Sequence, residues 1–142
     1  MNSNNSLKLY ELASEIINKC RSKKFKISVA ESCTGGLISS IITSIPGSSD
    51  VFECGFVTYS NNSKKKFLNV SQNTLSLYGA VSEEVVIEMI SGLKLRTQSD
   101  ILMAISGIAG PGGGTKDKPE GLVWISYACL LYTSDAADDL LC

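Results

Sequence analysis

Residues 29–37 read VAESCTGGL and set a serine and a cysteine, Ser32 and Cys33, at the end of an extended segment that runs into Gly35 and Gly36. A nucleophile at a strand-to-helix turn lies beside main-chain N–H groups that lack intrahelical partners, an arrangement suited to acyl chemistry. A serine hydroxyl also needs a base, and the chain contains no histidine. That excludes every Ser-His and Cys-His pairing within it and leaves lysine, tyrosine or a carboxylate. Glu31 is adjacent, but successive side chains of an extended backbone point to opposite faces, so it is badly placed to take the proton of Ser32. Lys64, Lys65 and Lys66 form the one dense basic run. Their mutual repulsion pushes a lysine down from about 10.4 toward the range of a base. Tyr59 stands five residues before Lys64, across YSNNSK, where its hydroxyl would relay a proton or hold the lysine.

Each feature also has a plain structural reading. Ser32 or Thr34 can cap the helix that follows, three adjacent lysines can be a solvated helix face, and Tyr59 can be an amphipathic strand end. Cys33 is intrinsically the better nucleophile, yet it can equally pack under the turn as a small apolar side chain. The spacing is not the GxSxG elbow, since Ala30 and Thr34 stand where glycines would be. With no histidine, serine plus lysine is the more self-consistent pair. A second glycine-rich stretch, GIAGPGGGTKDKPEG from residue 107, carries five glycines within 107–115. Its amides would approach a phosphate or ribose closely, or the stretch is simply a flexible connection; it is neither a Walker loop nor GxGxxG.

The elements that must position these residues follow from periodicity. Leu9, Leu12, Ala13, Ile16, Ile17 and Cys20 recur at helical spacing and end in the basic stretch 21–24. Residues 26–30 read as a strand and 37–45 as a helix stopped by Pro46-Gly47. Residues 51–60 read as a second strand with Asn61-Asn62 as the turn after it. Ser82 is an N-cap for a helix with Val85, Val86, Met89, Ile90 and Leu93 as its buried stripe. Residues 100–106 and 122–128 complete the strands. Alternating helices and strands predict a single-domain, three-layer α/β/α fold with a parallel or mixed sheet.

At 142 residues the chain suits one domain, and 44% apolar with 19% charged residues is a globular composition. Thirteen basic against fourteen acidic residues give a net charge of −1, which argues against direct nucleic-acid binding. No apolar run approaches the roughly 20 residues that span a bilayer, and no basic, apolar leader opens the chain, so a cytoplasmic location is expected. Cysteines at 20, 33, 54, 129 and 142 form no CxxC pair and read as free thiols.

Taken together, VAESCTGGLISSIITSIPGSSDVFECGFVTYSNNSK, YGAVSEEV and ISGIAGPGGGTKDKPEGLVWISYA resemble the C-terminal domain of the CinA (competence/damage-inducible) family, nicotinamide mononucleotide deamidases. The resemblance covers about 7–128 and implies hydrolysis of nicotinamide mononucleotide to nicotinic acid mononucleotide and ammonia, with no metal or organic cofactor. It implies Ser32 as nucleophile and Tyr59 and Lys64 as its partners. It further implies substrate contacts from Thr34, Gly35 and Gly36, with Gly35 and Gly36 amides helping to hold the oxyanion. The stretch containing Ser106, Gly107, Gly110, Gly112, Gly113 and Gly114 is expected to line the nucleotide pocket. A small-molecule nucleotide is the implied partner, in a dimer or larger assembly. Residues 129–142 look like translated sequencing-adapter read-through, so a domain over 1–128, shortened at its C-terminal end, is expected in the stand-alone form; the lost part would have supplied a basic residue to the site and covered apolar sheet. The competing function is a non-catalytic nucleotide-binding or competence- and damage-related partner module. A further enzymatic alternative is another nucleotide amide or ester as substrate.

Overall fold

The computed structural model describes residues 3–130. Helix α1 (Ser3–Lys23) buries Ala13, Ile17 and Cys20 along one face, and Lys24, in left-handed backbone, ends it. Strand β1 (Ile27–Glu31) follows, then α2 (Leu37–Thr43), a 3-10 turn at Ser48–Asp50, and β2 (Phe52–Val57). Helices α3 (Asn61–Leu68), α4 (Gln72–Tyr78) and α5 (Glu83–Arg96) precede β3 (Ile101–Gly107) and β4 (Val123–Cys129).

The sheet order is β2-β1-β3-β4. β1 pairs in parallel with β2 and with β3, and β4 runs antiparallel to β3. All five residues of β1 are buried because both faces are covered. Ile27 and Val29 pack with Ala13, Ile17, Ile42 and Val51 on one side. Ala30 packs with Leu68, Val85, Met89 and Leu102 on the other. Each such valine, leucine, isoleucine or methionine side chain contributes roughly 1.5–3 kcal/mol when fully buried. The result is the expected three-layer α/β/α arrangement, with a mixed sheet.

Local differences from the expected elements have local causes. β2 ends at Val57, three residues short of the predicted strand, because Ser60 turns the chain and accepts a hydrogen bond from Ser63 N (3.0 Å) as the cap of α3. Asn61 and Asn62 therefore open a helix; they are not a turn after a strand. Helix α4 adds to the expected elements; Ser71 caps it by accepting from Thr74 N (2.9 Å), and the Glu88 carboxylate fastens its start to α5 by accepting from Ser71 N (2.7 Å). α5 matches its expected stripe, with Ser82 accepting from Val85 N at 3.4 Å.

Among the described residues β4 is paired on one side only, and Val123, Ile125 and Tyr127 are exposed. Of the expected tail, Cys129 still pairs with Ile101, and Leu130 N donates to Asp100 O (2.6 Å); the rest lies outside the described residues. Cys20, Cys33, Cys54 and Cys129 are free thiols, and Cys142 also lies outside the described residues. Among the described residues no helix is long and apolar enough to cross a membrane.

The parallel strands β1, β2 and β3 all end on the same edge, at Glu31, Val57 and Gly107. From β1 the chain moves to β2 on one side, whereas from β3 it moves to β4 on the other. The crevice between the carboxyl ends of β1 and β3 is thus the topological switch point, where open α/β sheets place their sites.

Candidate active site

Ser32 is the first residue beyond β1, anchored at that crevice by its N–H donating to Ile105 O (3.0 Å). Alternation along the strand sends Glu31 toward α2 and leaves Ser32 to the opposite side, where α3 brings Lys64. Lys64 Nζ lies 2.8 Å from Ser32 Oγ. The lysine is only 1% exposed and the serine 6%. Two main-chain carbonyls complete the surroundings of the ammonium group, Thr58 O at 2.8 Å and Tyr59 O at 3.2 Å.

Burial pushes Lys64 down from an ordinary 10.5 to about 8, against the opposing electrostatic influence of Cys33. The cause is desolvation, and the repulsion from Lys65 and Lys66 inferred from sequence is not what lowers it. Lys65 is turned outward to Gln72 (2.8 Å), and Lys66 lies over the Phe67 ring. The three-acceptor geometry suits both protonation states. An ammonium donates to Ser32 Oγ and both carbonyls; a neutral amine keeps two hydrogens for the carbonyls and turns its lone pair to the serine O–H.

Tyr59 meets Lys64 differently from the expected way. Its ring is 72% exposed, and its contact with the lysine is through the main-chain carbonyl. The Thr58 carbonyl had no sequence signal, since any residue type supplies one. Burial pushes the Cys33 thiol up, which disfavours the thiolate needed for attack.

The glycine turn is ordered by Glu31. This wholly buried carboxylate accepts from Gly36 N (3.1 Å), Ile38 N (3.1 Å), Ser39 N (2.8 Å) and Ser39 Oγ (2.6 Å). Burial by itself would raise the Glu31 carboxyl, but the hydroxyls of Ser39 and Thr34 and the N–H groups of Ser39 and Ile38 outweigh it and hold it below the ordinary value. Gly36, at φ 98°, supplies the left-handed backbone that brings the turn round into α2. Gly35 N donates to Ser32 O (3.0 Å), so the amides of both Gly35 and Gly36 are already committed and neither is free to hold an oxyanion. Thr34 Oγ1 is buried without a hydrogen-bond partner of good geometry.

The second glycine stretch reaches this crevice at one end only. A Cβ on Gly107 would stand 2.9 Å from Cys33 Sγ, so the two segments touch there. Ser106 is buried and donates its hydroxyl to Ala80 O (2.7 Å). Gly110, Gly112, Gly113 and Gly114 lie on an exposed arm with no hydrogen bond to Ser32 or Lys64. The arm is held by its own contacts: Gly112 N donates to Glu120 Oε1 (2.6 Å), Thr115 N to Lys118 O (2.7 Å), and Lys118 Nζ to Val81 O (2.7 Å) and Tyr78 O.

A family model described as the CinA C-terminal domain matches residues 9–134. The chain belongs to the CinA C-terminal domain family. A relative from Enterobacter agglomerans, named nicotinamide-nucleotide amidohydrolase PncC, is 50% identical over 121 residues, covering 85% of this chain and 74% of its own. A CinA-like protein of Thermotoga neapolitana is 54% identical over 110 residues, 78% of this chain. That alignment takes in 27% of the Thermotoga protein, so the chain spans about a quarter of such longer relatives. Among solved structures, the competence/damage inducible protein CihA from Agrobacterium tumefaciens superposes with a TM-score of 0.83 at 44% identity, covering 85% of this chain and 73% of that one. The structure thus puts the buried Ser32–Lys64 pair at the switch point of a CinA-family domain.

Proposed function

We propose that this CinA-family domain is a nicotinamide-nucleotide amidohydrolase that converts nicotinamide mononucleotide to nicotinic acid mononucleotide and ammonia. The observation that carries the reading is the 2.8 Å contact between Ser32 Oγ and a buried Lys64 whose pKa is near 8. A lysine in that range is a competent base at neutral to mildly alkaline pH, and it is already within proton-transfer distance. The amidohydrolase name carried by a 50%-identical relative supports the amide as substrate.

In the proposed cycle neutral Lys64 takes the proton of Ser32 as Oγ bonds to the carboxamide carbon and the C=O electron pair moves onto oxygen. The tetrahedral adduct collapses, the C–N bond breaks, and the Lys64 ammonium returns the proton to the departing nitrogen as ammonia. Water then adds to the ester, giving its proton to Lys64, and the acid leaves as Ser32 recovers its hydrogen. The carbonyls of Thr58 and Tyr59 keep the amine oriented throughout, without a carboxylate that would hold it charged.

Ammonia release from nicotinamide mononucleotide, nicotinamide, its riboside and its dinucleotide tests substrate and residues together. Ser32→Ala and Lys64→Ala should abolish release, and Cys33→Ala should retain it. Loss confined to Cys33→Ala would move the nucleophile by one residue. Binding of the nucleotide with no turnover by any chain carrying Ser32 would instead favour the non-catalytic module.

A further inference from the structure

Glu31 is badly placed as a base for Ser32, and among the described residues it makes no hydrogen bond to Ser32 Oγ or Lys64 Nζ. It is nonetheless a carboxylate with no solvent exposure that gathers four donors, three of them main-chain N–H groups at 36, 38 and 39. Burying a charge at this cost requires that its partners be fixed. A second feature keeps that arrangement possible: a Cβ on Gly55 of the neighbouring strand would fall 2.4 Å from Ser39 Oγ, so only glycine leaves room for the hydroxyl that binds Glu31.

The consequence lies in which amides remain. Ser32 N is taken by Ile105 O, Gly35 N by Ser32 O and Gly36 N by Glu31. Among the described residues, the N–H groups of Cys33 and Thr34 donate to no carbonyl or carboxylate oxygen. They follow directly on the nucleophile, and their one neighbour as donors is the Cys33 sulfur, whose negative charge both favour. The N–H of the residue after a nucleophilic serine is four bonds from its Oγ, and in the nucleophile elbow of other hydrolases that N–H is an oxyanion donor.

We infer that Glu31 is a positioning residue: by capturing the amides of the glycine turn it fixes residues 33–34 so that their N–H groups receive the substrate oxygen as it becomes an oxyanion. The inference rests on Ser32 as the nucleophile. It departs from the expected Gly35 and Gly36 donors by one turn of bookkeeping in the backbone, with Glu31 as the reason.

The test reads the rate at which a fluorophosphonate labels Ser32, followed by mass, alongside ammonia release. In that reaction Ser32 Oγ bonds to phosphorus, fluoride leaves, and the phosphonyl oxygen takes up charge where the amide oxygen would. Replacing the Thr34 amide N–H by an ester oxygen should slow labelling about a hundredfold, the usual loss for one oxyanion donor. Glu31→Gln should slow labelling and kcat about tenfold or more, leave KM within about threefold, and keep the pH midpoint near the about 8 of Lys64, because the base is untouched. If Glu31→Gln fails to fold, the Thr34 ester decides, since Glu31 stays in place. Undiminished labelling in the Thr34 ester, or a loss appearing with a Gly36 ester in its stead, would overturn the inference while leaving the nucleophile intact. Absence of Ser32 labelling in the unaltered chain, with full ammonia release from Ser32→Ala, would instead remove the nucleophile reading beneath it.

Discussion

Two glycine-rich connections follow strands on the same edge of the sheet, and they are built in opposite ways. The turn at 32–36 is short, and its polar groups are partitioned between a buried carboxylate, a buried lysine and the backbone. The arm beyond Gly107 is long and exposed; Glu120 and Thr115 tie it within itself, and Lys118 fastens it to the α4–α5 connection. Glycine content is similar to the eye. What separates the two is where the donors go: in the first, buried partners organise the backbone around a reactive side chain; in the second, hydrogen bonds fold the arm and fasten it to the neighbouring α4–α5 connection.

The comparison breaks outright if the turn is not where turnover is lost. Ser32→Ala and Lys64→Met are each expected to reduce ammonia release about a thousandfold or more, whereas no single change on the exposed arm should approach that. A purified variant of either residue with turnover close to the parent would end the reading.

A second expectation concerns pH. With Lys64 at about 8, the rate of Ser32 labelling should climb roughly tenfold per pH unit below that value and level above it. Stability carries the same signature with a defined sign. Between about 8 and 10.5 the unfolded chain binds a proton at Lys64 that the native chain does not, so unfolding free energy rises with pH across that window. The gain is on the order of 3 kcal/mol, from about 1.4 kcal/mol per pKa unit. Denaturant titrations of the parent and Lys64→Met at several pH values should show this rise only in the parent; equal slopes would mean that the lysine is not buried as described.

On the arm, Lys118→Met removes the donors to Tyr78 O and Val81 O. It is expected to lower stability by about 1.5–3 kcal/mol, the worth of a hydrogen bond to a charged group, and to act on KM more than on kcat. A kcat loss as large as that of Glu31→Gln would erase the contrast between the two connections. The smallest effect is expected from Lys66→Ala. If burial sets the Lys64 pKa, the labelling midpoint stays near 8 in that variant; if neighbouring charge sets it, the midpoint moves up.

Much of this was legible in the sequence where one physical rule dominates. The stripe of α5, its Ser82 cap and the alternation of buried strands with helices follow from periodicity and capping, and they appear as expected. Residues 58–78 were less legible. A run rich in aromatic and β-branched residues was extended too far, because Ser60 as a helix cap looks like a strand-end polar residue until Ser63 N is seen donating to it. Even with the three lysines read as a solvated helix face, nothing local distinguishes Lys64 from Lys65 and Lys66.

The sequence by itself determined the chemical inventory: no histidine, a serine ahead of two glycines, a lysine cluster, and a family pattern that a CinA C-terminal domain model also matches over 9–134. Which lysine is buried, that Thr58 and Tyr59 hold it by carbonyls, and that Gly35 and Gly36 have no amide to spare were decided only by tertiary structure. The reason is that desolvation and hydrogen-bond commitment belong to a place in the fold. Residue type fixes what a group can donate or accept, and only packing fixes what remains unspent.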